Sequence, residues 1–153
     1  MTDLSSRPVV VGCDGSAGSV AAVRFGVDEA KLRGGRVRLV VAYDPTVIVD
    51  GYAYVGNDLV ADYMERAKSA AESVRDKVVA ELDEPVDLEL VVDRGRPAQV
   101  LIDHAQDAHM LVVGARGLGT WGRLLMGSVS TEVVHHANVP VVVIPGDHQA
   151  TRR

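Results

Sequence analysis

Residues 110–130 read MLVVGARGLGTWGRLLMGSVS, and this stretch decides the fold. Four apolar residues at 110–113 predict a buried strand, after which a glycine-rich loop leads into a helical pattern from Ser128. The glycines are spaced as Gly114-x2-Gly117-x9-Gly127. Glycine lets backbone approach a ligand without an intervening Cβ, and the N–H groups that open a helix attract anions. The segment therefore predicts a phosphate-binding loop between a strand and a helix.

Side chains within the same loop strengthen this prediction. Ser128 and Ser130 offer hydroxyl donors, while Arg116 and Arg123 offer positive charge. Gly127 is also expected to need a backbone conformation that β-branched residues avoid. Glycines at a strand end can instead serve only a tight turn and close packing. The spacing, with a serine at the helix start and arginines between the glycines, favours phosphate binding.

Outward from this stretch, short valine-rich strands alternate with helical patterns. Strands are predicted at 8–13, 37–43, 86–92, 110–114 and 140–144, and helices at 19–33, 59–82, 97–107 and 128–136. This alternation predicts one α/β domain over residues 1–153, with a core at 8–145, a polar tail at 146–153 that frays, and helices on both faces of a five-stranded parallel sheet. The order 3-2-1-4-5 places two loops, at 14–16 and after residue 114, beside one crevice where ligands bind.

Composition excludes several classes of protein. The 153 residues are 47% hydrophobic and 24% charged, with a formal net charge of −5, which argues against nucleic-acid binding. No apolar run in the sequence is long enough for a membrane span, and the N-terminal residues show no signal-peptide pattern. A single cysteine, Cys13, leaves no internal disulfide. These features predict a cytoplasmic protein.

Other nucleotide and catalytic motifs are absent or out of context. A GxGxxG occurs at Gly117, Gly119 and Gly122, but the first glycine does not follow the strand directly and position 137 is Ala137, so we interpret the match as accidental. There is no GxxxxGK[ST] and no GxSxG. None of the five histidines shows metal-ligand spacing, so no structural zinc is expected.

The sequence resembles the universal stress protein family. The resemblance rests on VVVGCDGS at 9–16, VVGARGLGTWGRLLMGSVS at 112–130 and ANVPVVVIP at 137–145, and it covers 8–145. The glycine motif matches the ATP-binding branch of the family. The resemblance implies a five-stranded parallel α/β fold, ATP with Mg²⁺ in the crevice, and a homodimer formed through the last strand, Val141–Ile144. It also implies a nucleotide-responsive regulator of growth or stress survival rather than a fast enzyme.

Carried over by position, the resemblance implies a set of nucleotide contacts. Asp14 would face the ribose or the metal-bound phosphates, although the same aspartate could simply cap the helix that follows. Ala42 would hold adenine through its main chain. The remaining expected contacts are the loop residues Gly114, Arg116, Gly117, Gly127, Ser128, Val129 and Ser130.

Several alternatives stay open. The protein could be a slow ATPase or phosphotransfer enzyme using the same crevice, although Asp14 is the only carboxylate placed near the phosphates. It could bind cyclic AMP. It could also have a degenerate pocket of its own and act purely by interacting with partner proteins. The apolar segment at 44–57 is interpreted as an irregular loop that packs on its own helix, covers the adenine or contacts a partner. Residues 94–97 are interpreted as a solvated turn.

Overall fold

The computed structural model describes residues 6–115 and 126–145, with the backbone alone described at 47–49, 57 and 58. The predicted contacts Arg116 and Gly117 and the tail at 146–153 lie outside these ranges. Within them the chain forms, in order, β1 Val9–Gly12, α1 Ala17–Arg33, β2 Val37–Tyr43, β3 Val47–Val49, β4 Tyr52–Tyr54, α2 Asn57–Val79, β5 Leu88–Arg94, α3 Pro97–His104, β6 Met110–Gly114, α4 Ser128–His136 and β7 Val141–Ile144.

The main sheet has five parallel strands in the order β5-β2-β1-β6-β7. These are the five strands predicted from the sequence, and they lie in the predicted order 3-2-1-4-5 when counted among themselves. Strand order reverses at β1, which lies between β2 and β6. The carboxyl ends of β1, β2 and β6 therefore share one edge of the sheet, where a crevice is expected.

The prediction of an irregular loop at 44–57 was wrong. This segment contains β3 and β4, which pair as an antiparallel hairpin separate from the main sheet. Asp50 and Gly51 form its two-residue turn, with φ angles of 49° and 80°. An Asp-Gly pair between two apolar runs is a strong hairpin signal, because both turn positions require positive φ. The signal was present in the sequence and was overlooked.

Helices cover both faces of the sheet because its central strands are apolar on both sides. In β1, Val9 and Val11 pack towards α1 and α2, whereas Val10 packs towards α3 and α4. All three valines are fully buried. Successive side chains of a strand point to opposite faces, so an unbroken apolar run requires cover on both.

The observed boundaries differ from prediction by a few residues at most elements. The largest differences are at α2, predicted at 59–82 and observed at Asn57–Val79, and at the end of α3, predicted at 107 and observed at His104. The helical pattern at 59–82 predicts one apolar stripe that includes Leu59, Tyr63, Val74 and Val78. Only part of it is buried, because Val74 and Val78 lie in the core whereas Leu59 and Tyr63 are exposed. No helix among the described residues is long and apolar enough to cross a membrane.

Candidate functional site

A cavity of about 320 Å³ opens at the carboxyl ends of β1, β2 and β6, where the strand order reverses. Its volume is at the lower end of the range for small-molecule sites. The walls are apolar on the strand side and rich in hydroxyl groups and glycine on the loop side. The described lining residues are Gly12, Cys13, Asp14, Ser16, Ser19, Val40, Ala42, Pro97, Leu101, Val113, Gly114, Ala115, Gly127, Ser128, Val129 and Ser130.

The turn after β1 holds Asp14 in a fixed orientation at the rim of this cavity. The carboxylate oxygen Oδ1 accepts hydrogen bonds from the Ser19 hydroxyl at 2.6 Å and from the Ser16 backbone N–H at 2.9 Å. The N-cap of α1 is Ser16, whose hydroxyl accepts from the N–H of Ser19. Asp14 is therefore not the helix cap. Its exposed carboxylate is held beside the cavity by its neighbours.

The end of β2 turns main-chain groups towards the cavity at Ala42. The ladder between β1 and β2 ends where the N–H of Cys13 donates to the carbonyl of Val40 at 2.9 Å. Alternate residues of a strand direct their main-chain groups to the same side. The N–H and carbonyl of Ala42 therefore face the side of β1, beyond the point where β1 has ended. Because its side chain is a methyl group, Ala42 can offer polar groups to a ligand only through this main chain.

The N-terminus of α4 forms the opposite wall. The first α-helical hydrogen bond runs from the N–H of Thr131 to the carbonyl of Gly127, so the N–H groups of Ser128, Val129 and Ser130 precede the helical ladder. Such N–H groups, together with the helix dipole, create a positive potential. The backbone of α4 can thus receive an anion that enters the cavity.

The conformation of Gly127 corrects one expectation. Its φ of −63° and ψ of 169° are extended values that any residue adopts. Gly114 likewise lies in regular strand β6. These two glycines therefore do not relieve backbone strain, and the absent side chain at the cavity wall is what distinguishes them.

The Ser130 hydroxyl, which was predicted to donate to phosphate, donates within the protein instead. Its Oγ is buried and lies 3.0 Å from the carbonyl oxygens of both Ala115 and Gly127, to which it donates. The N–H of Gly127 also donates to the carbonyl of Ala115. These bonds hold together the two ends of the glycine loop. The exposed hydroxyl of Ser128, at the first turn of α4, remains the side-chain donor on this wall.

The described part of the cavity offers few groups for proton transfer. Cys13 is 7% exposed, and burial raises the pKa of its thiol, although hydrogen bonds from the Gly15 backbone and the Ser19 side chain oppose the rise. Asp14 is the one carboxylate among the described lining residues. In the described ranges, no cluster of three or more His, Cys, Asp or Glu residues could hold a metal ion.

Of the nine residues predicted to contact a ligand, seven line the cavity: Asp14, Ala42, Gly114, Gly127, Ser128, Val129 and Ser130. Ser16 lies in the loop at 14–16 that was predicted to edge the crevice, but it was not assigned a contact. Lining residues that sequence reasoning missed include Ser19, Pro97 and Leu101. The serine spacing Ser16-x2-Ser19 directly after Asp14 was an available signal, because serines at a helix start bond to neighbouring backbone and side chains. Leu101 gave no signal, since its position in the cavity depends on the packing of α3.

The fold and the cavity define an α/β protein with a ligand site at the switch point of a parallel sheet. The chain belongs to the universal stress protein family, whose model matches residues 5–145. A universal stress protein of Mycolicibacterium smegmatis is 38% identical over 145 residues, covering 93% of this chain and 49% of that protein. One from Thermus aquaticus is 32% identical over 140 residues, covering 90% and 98%. This chain spans about half the length of the mycobacterial relatives.

Solved structures of the family share the fold, and several contain adenine nucleotides. A universal stress protein in complex with cAMP is 27% identical, with a TM-score of 0.58, and the match covers 92% of this chain and 97% of that one. The protein from Archaeoglobus fulgidus in complex with dAMP is 26% identical, with a TM-score of 0.62 and coverage of 90% and 97%.

Proposed function

We propose that this protein binds an adenine nucleotide, ATP with Mg²⁺, in the cavity at the ends of β1, β2 and β6. The observation that carries the proposal is the pairing of two opposed backbone sites: the main chain of Ala42 on one wall and the N-terminus of α4 on the other. Main-chain groups can pair with the polar edge of adenine, and a helix N-terminus receives phosphates. The cAMP and dAMP complexes of related proteins support this choice of ligand class.

The donor set of the rim is compatible with Mg²⁺. Magnesium is commonly held by one or two carboxylates together with substrate phosphates and water, rather than by a cage made wholly of protein. Asp14 supplies one carboxylate at the rim, and the Ser19 and Ser16 contacts fix its direction. When bound, the ion would neutralise phosphate charge beside this acidic residue.

The same cavity supports a regulatory role better than fast catalysis. Apart from Asp14 and a thiol whose pKa burial raises, its described lining presents no acid or base to activate water. We therefore propose a cytoplasmic, nucleotide-responsive regulator of growth or stress survival, in which residues 8–145 form one domain. Slow ATP hydrolysis is the alternative, and it predicts turnover that depends on Asp14.

Thermal unfolding with nucleotides tests the binding proposal. Saturating Mg-ATP should add about 2.7 kcal/mol to the free energy of unfolding at a hundred times Kd, and this linkage should raise the unfolding midpoint. Gly127→Val should abolish the rise, because two methyl groups would occupy the wall where phosphates approach. Gly56→Val is the matched control: Gly56 is the N-cap glycine of α2, with extended dihedrals of −76° and 127°, and lies outside the cavity lining. An unmoved midpoint with ATP, ADP and cyclic AMP would refute the proposal.

We further propose a homodimer that pairs β7 with its copy. β7 is the edge strand among the described strands of the sheet, and an edge of four β-branched residues invites pairing. The carbonyls of Pro140 and Ile144 face β6, where they accept from Leu111 and Ala115, so Val141 and Val143 direct their main chains outward.

Proline substitution separates dimer formation from folding. Val143→Pro removes an outward N–H and should give a folded monomer by sedimentation. Val142→Pro, one residue earlier, removes an inward N–H and should instead destabilise the sheet. Tens of micromolar is on the order of the concentrations at which a tight dimer stays assembled. A wild-type protein that sediments as a monomer there would contradict the dimer.

A further inference from the structure

A second surface, separate from the cavity, exposes large apolar side chains. It is formed by β4 and the first turns of α2, and we name it the hairpin–helix surface. Tyr52 and Tyr54 are 79% and 63% exposed, and three residues of α2 are each more than a third exposed. Those three are Leu59, Tyr63 and Met64. Clustered apolar exposure of this kind marks interaction sites, whereas isolated exposed residues do not.

The two halves of this surface are contiguous. A Cβ placed on Gly56 would stand 3.5 Å from both Tyr54 Cε1 and Leu59 Cδ1, so the tyrosine ring and the leucine side chain both lie next to that glycine. Tyr63 lies one helical turn beyond Leu59 on the same stripe. Further along α2 the stripe is buried at Val74 and Val78 against the core. The exposed residues thus continue a packing face that the other described residues leave partly exposed.

Charge is concentrated on the same segment. Residues 44–66 contain five acidic residues and one basic residue, which gives −4 of the formal net charge of −5. Asp62 pairs with Arg66 at 2.9 Å, and Glu65 is exposed. The remainder of the chain is close to neutral. An apolar centre with an acidic border is therefore a local property of the hairpin–helix surface.

We propose that the hairpin–helix surface binds an amphipathic, positively charged segment of a partner protein. Tyrosines, leucine and methionine provide the aromatic and flexible apolar anchors typical of helix-binding sites. The acidic border selects a partner with lysine or arginine around its apolar face. The same charge repels nucleic acid and anionic membranes, and it disfavours a second copy of this face. This inference does not depend on nucleotide binding in the cavity.

The probe is an 18-residue designed peptide with leucines on one helical face and lysines on the other. A second peptide keeps the leucines and replaces every lysine with glutamate. Titration into the ¹⁵N-labelled full chain should shift amide signals of residues 47–66 with the lysine peptide, and the glutamate peptide should cause no shifts. Affinity for the lysine peptide should fall with rising salt, because the border charges are exposed.

Matched variants test whether the named residues carry the binding. The double substitution Tyr52→Ser with Tyr54→Ser should reduce the affinity for the lysine peptide at least tenfold. Because both side chains are exposed, the fold should persist. Leu32→Ser, which removes an 82% exposed apolar residue at the end of α1, should leave affinity unchanged. Asp62→Asn with Glu65→Gln should also weaken binding, whereas Asp83→Asn with Glu84→Gln, two exposed acidic residues outside the surface, should not.

Three results would overturn the proposal. The first is peptide binding that does not use the named residues, seen as peptide-induced shifts outside 47–66 or as equal affinity of the double tyrosine variant and the wild type. The second is a wild-type dimer that the tyrosine variant converts to monomer, which would make a second copy the occupant. The third is binding to neutral phosphatidylcholine vesicles that the same variant abolishes, which would make the surface a membrane contact. Failure of nucleotide to stabilise the fold would leave the peptide result standing.

Discussion

At the scale of residues, the site depends on how Ser19 holds Asp14. The Ser19 side chain is almost fully buried, donates to the Asp14 carboxylate at 2.6 Å and accepts from the Asp14 N–H at 2.9 Å. One hydroxyl thus fixes both the backbone and the side chain of the only charged rim residue among the described lining. Ser19 is a positioning residue for whatever Asp14 binds.

Ser19→Ala should weaken binding of Mg-ATP by about 0.5–1.5 kcal/mol, roughly two- to tenfold, because Asp14 loses a hydrogen bond that orients it. The distinguishing measurement is calorimetric titration with and without Mg²⁺. A positioning role predicts that affinity for metal-free ATP changes little, and Asp14→Asn should show the same selective loss. Equal weakening with and without the metal would mean that the hydroxyl serves only the local fold.

Gly15 offers a prediction on stability at the same turn. Its φ is +83°, and a Cβ there would lie 2.9 Å from the Cβ of Ala70 in α2. Gly15→Ala should therefore cost more free energy of unfolding than Gly34→Ala, which has φ +63° and nothing within 4 Å. The control should lose about 1–2 kcal/mol from backbone strain alone. Urea unfolding of both variants measures the difference, and equal losses would show that the Ala70 contact is immaterial.

At the scale of elements, Gly26 allows α1 to pack closely against the sheet. A Cβ at this position would collide with the Val11 side chain of β1, so the glycine sets how closely the helix approaches the central strand. Val11 is fully buried and β1 is flanked by strands on both sides, so the strand cannot move away. The close approach positions the N-terminus of α1, and with it the Asp14 turn, against the cavity.

Gly26→Ala should destabilise the protein, although alanine has the higher helix propensity. Propensity favours alanine by about 0.8–1 kcal/mol, and overpacking costs about 1–3 kcal/mol. The two effects leave a net loss in a site that cannot relax. In a double-mutant cycle by chemical denaturation, Gly26→Ala combined with Val11→Ala should lose less than the sum of the single losses. Strict additivity would argue against the clash.

At the scale of the whole molecule, Arg38 joins elements that are distant in sequence. Its guanidinium, 14% exposed, donates to Glu89 of β5 at 3.1 Å, to Asp107 at 2.8 Å and to the His104 carbonyl at 2.9 Å. The hydrogen bond from Arg38 lowers the pKa of the Asp107 carboxyl below its usual value. Burial acts to lower the pKa of Arg38, and its carboxylate partners raise it overall.

This cluster predicts acid sensitivity. Because the pKa of Asp107 is lowered in the folded state, its contribution is present above the unfolded pKa of about 3.9 and is lost as pH falls through the folded value. Asp107→Asn should therefore reduce the free energy of unfolding at pH 7 by about 0.5–1 kcal/mol, since the carboxylate is largely exposed. Denaturation at pH 7 and pH 3 should show that difference shrinking in acid; a constant difference would contradict the assignment.

The amino-acid sequence by itself determined the α/β class and the five strands with their order. It also singled out seven residues that line the cavity, and their contact with a ligand stays a prediction. It could do so because apolar runs, turn residues and helix starts are local signals of strands and helices. The topology of a parallel sheet then brings the loops that follow neighbouring strands together at one edge. Arg116 and Gly117 lie outside the described residues and stay predictions.

Tertiary structure alone decided how those residues are used. Packing placed Leu101 in the cavity wall and turned the Ser130 hydroxyl towards the carbonyls of Ala115 and Gly127. Among the described residues it also left Leu59 and Tyr63 of α2 partly exposed while burying Val74 and Val78. None of these follows from neighbours along the chain, because each depends on which distant backbone or side chain a group meets once the helices lie against the sheet.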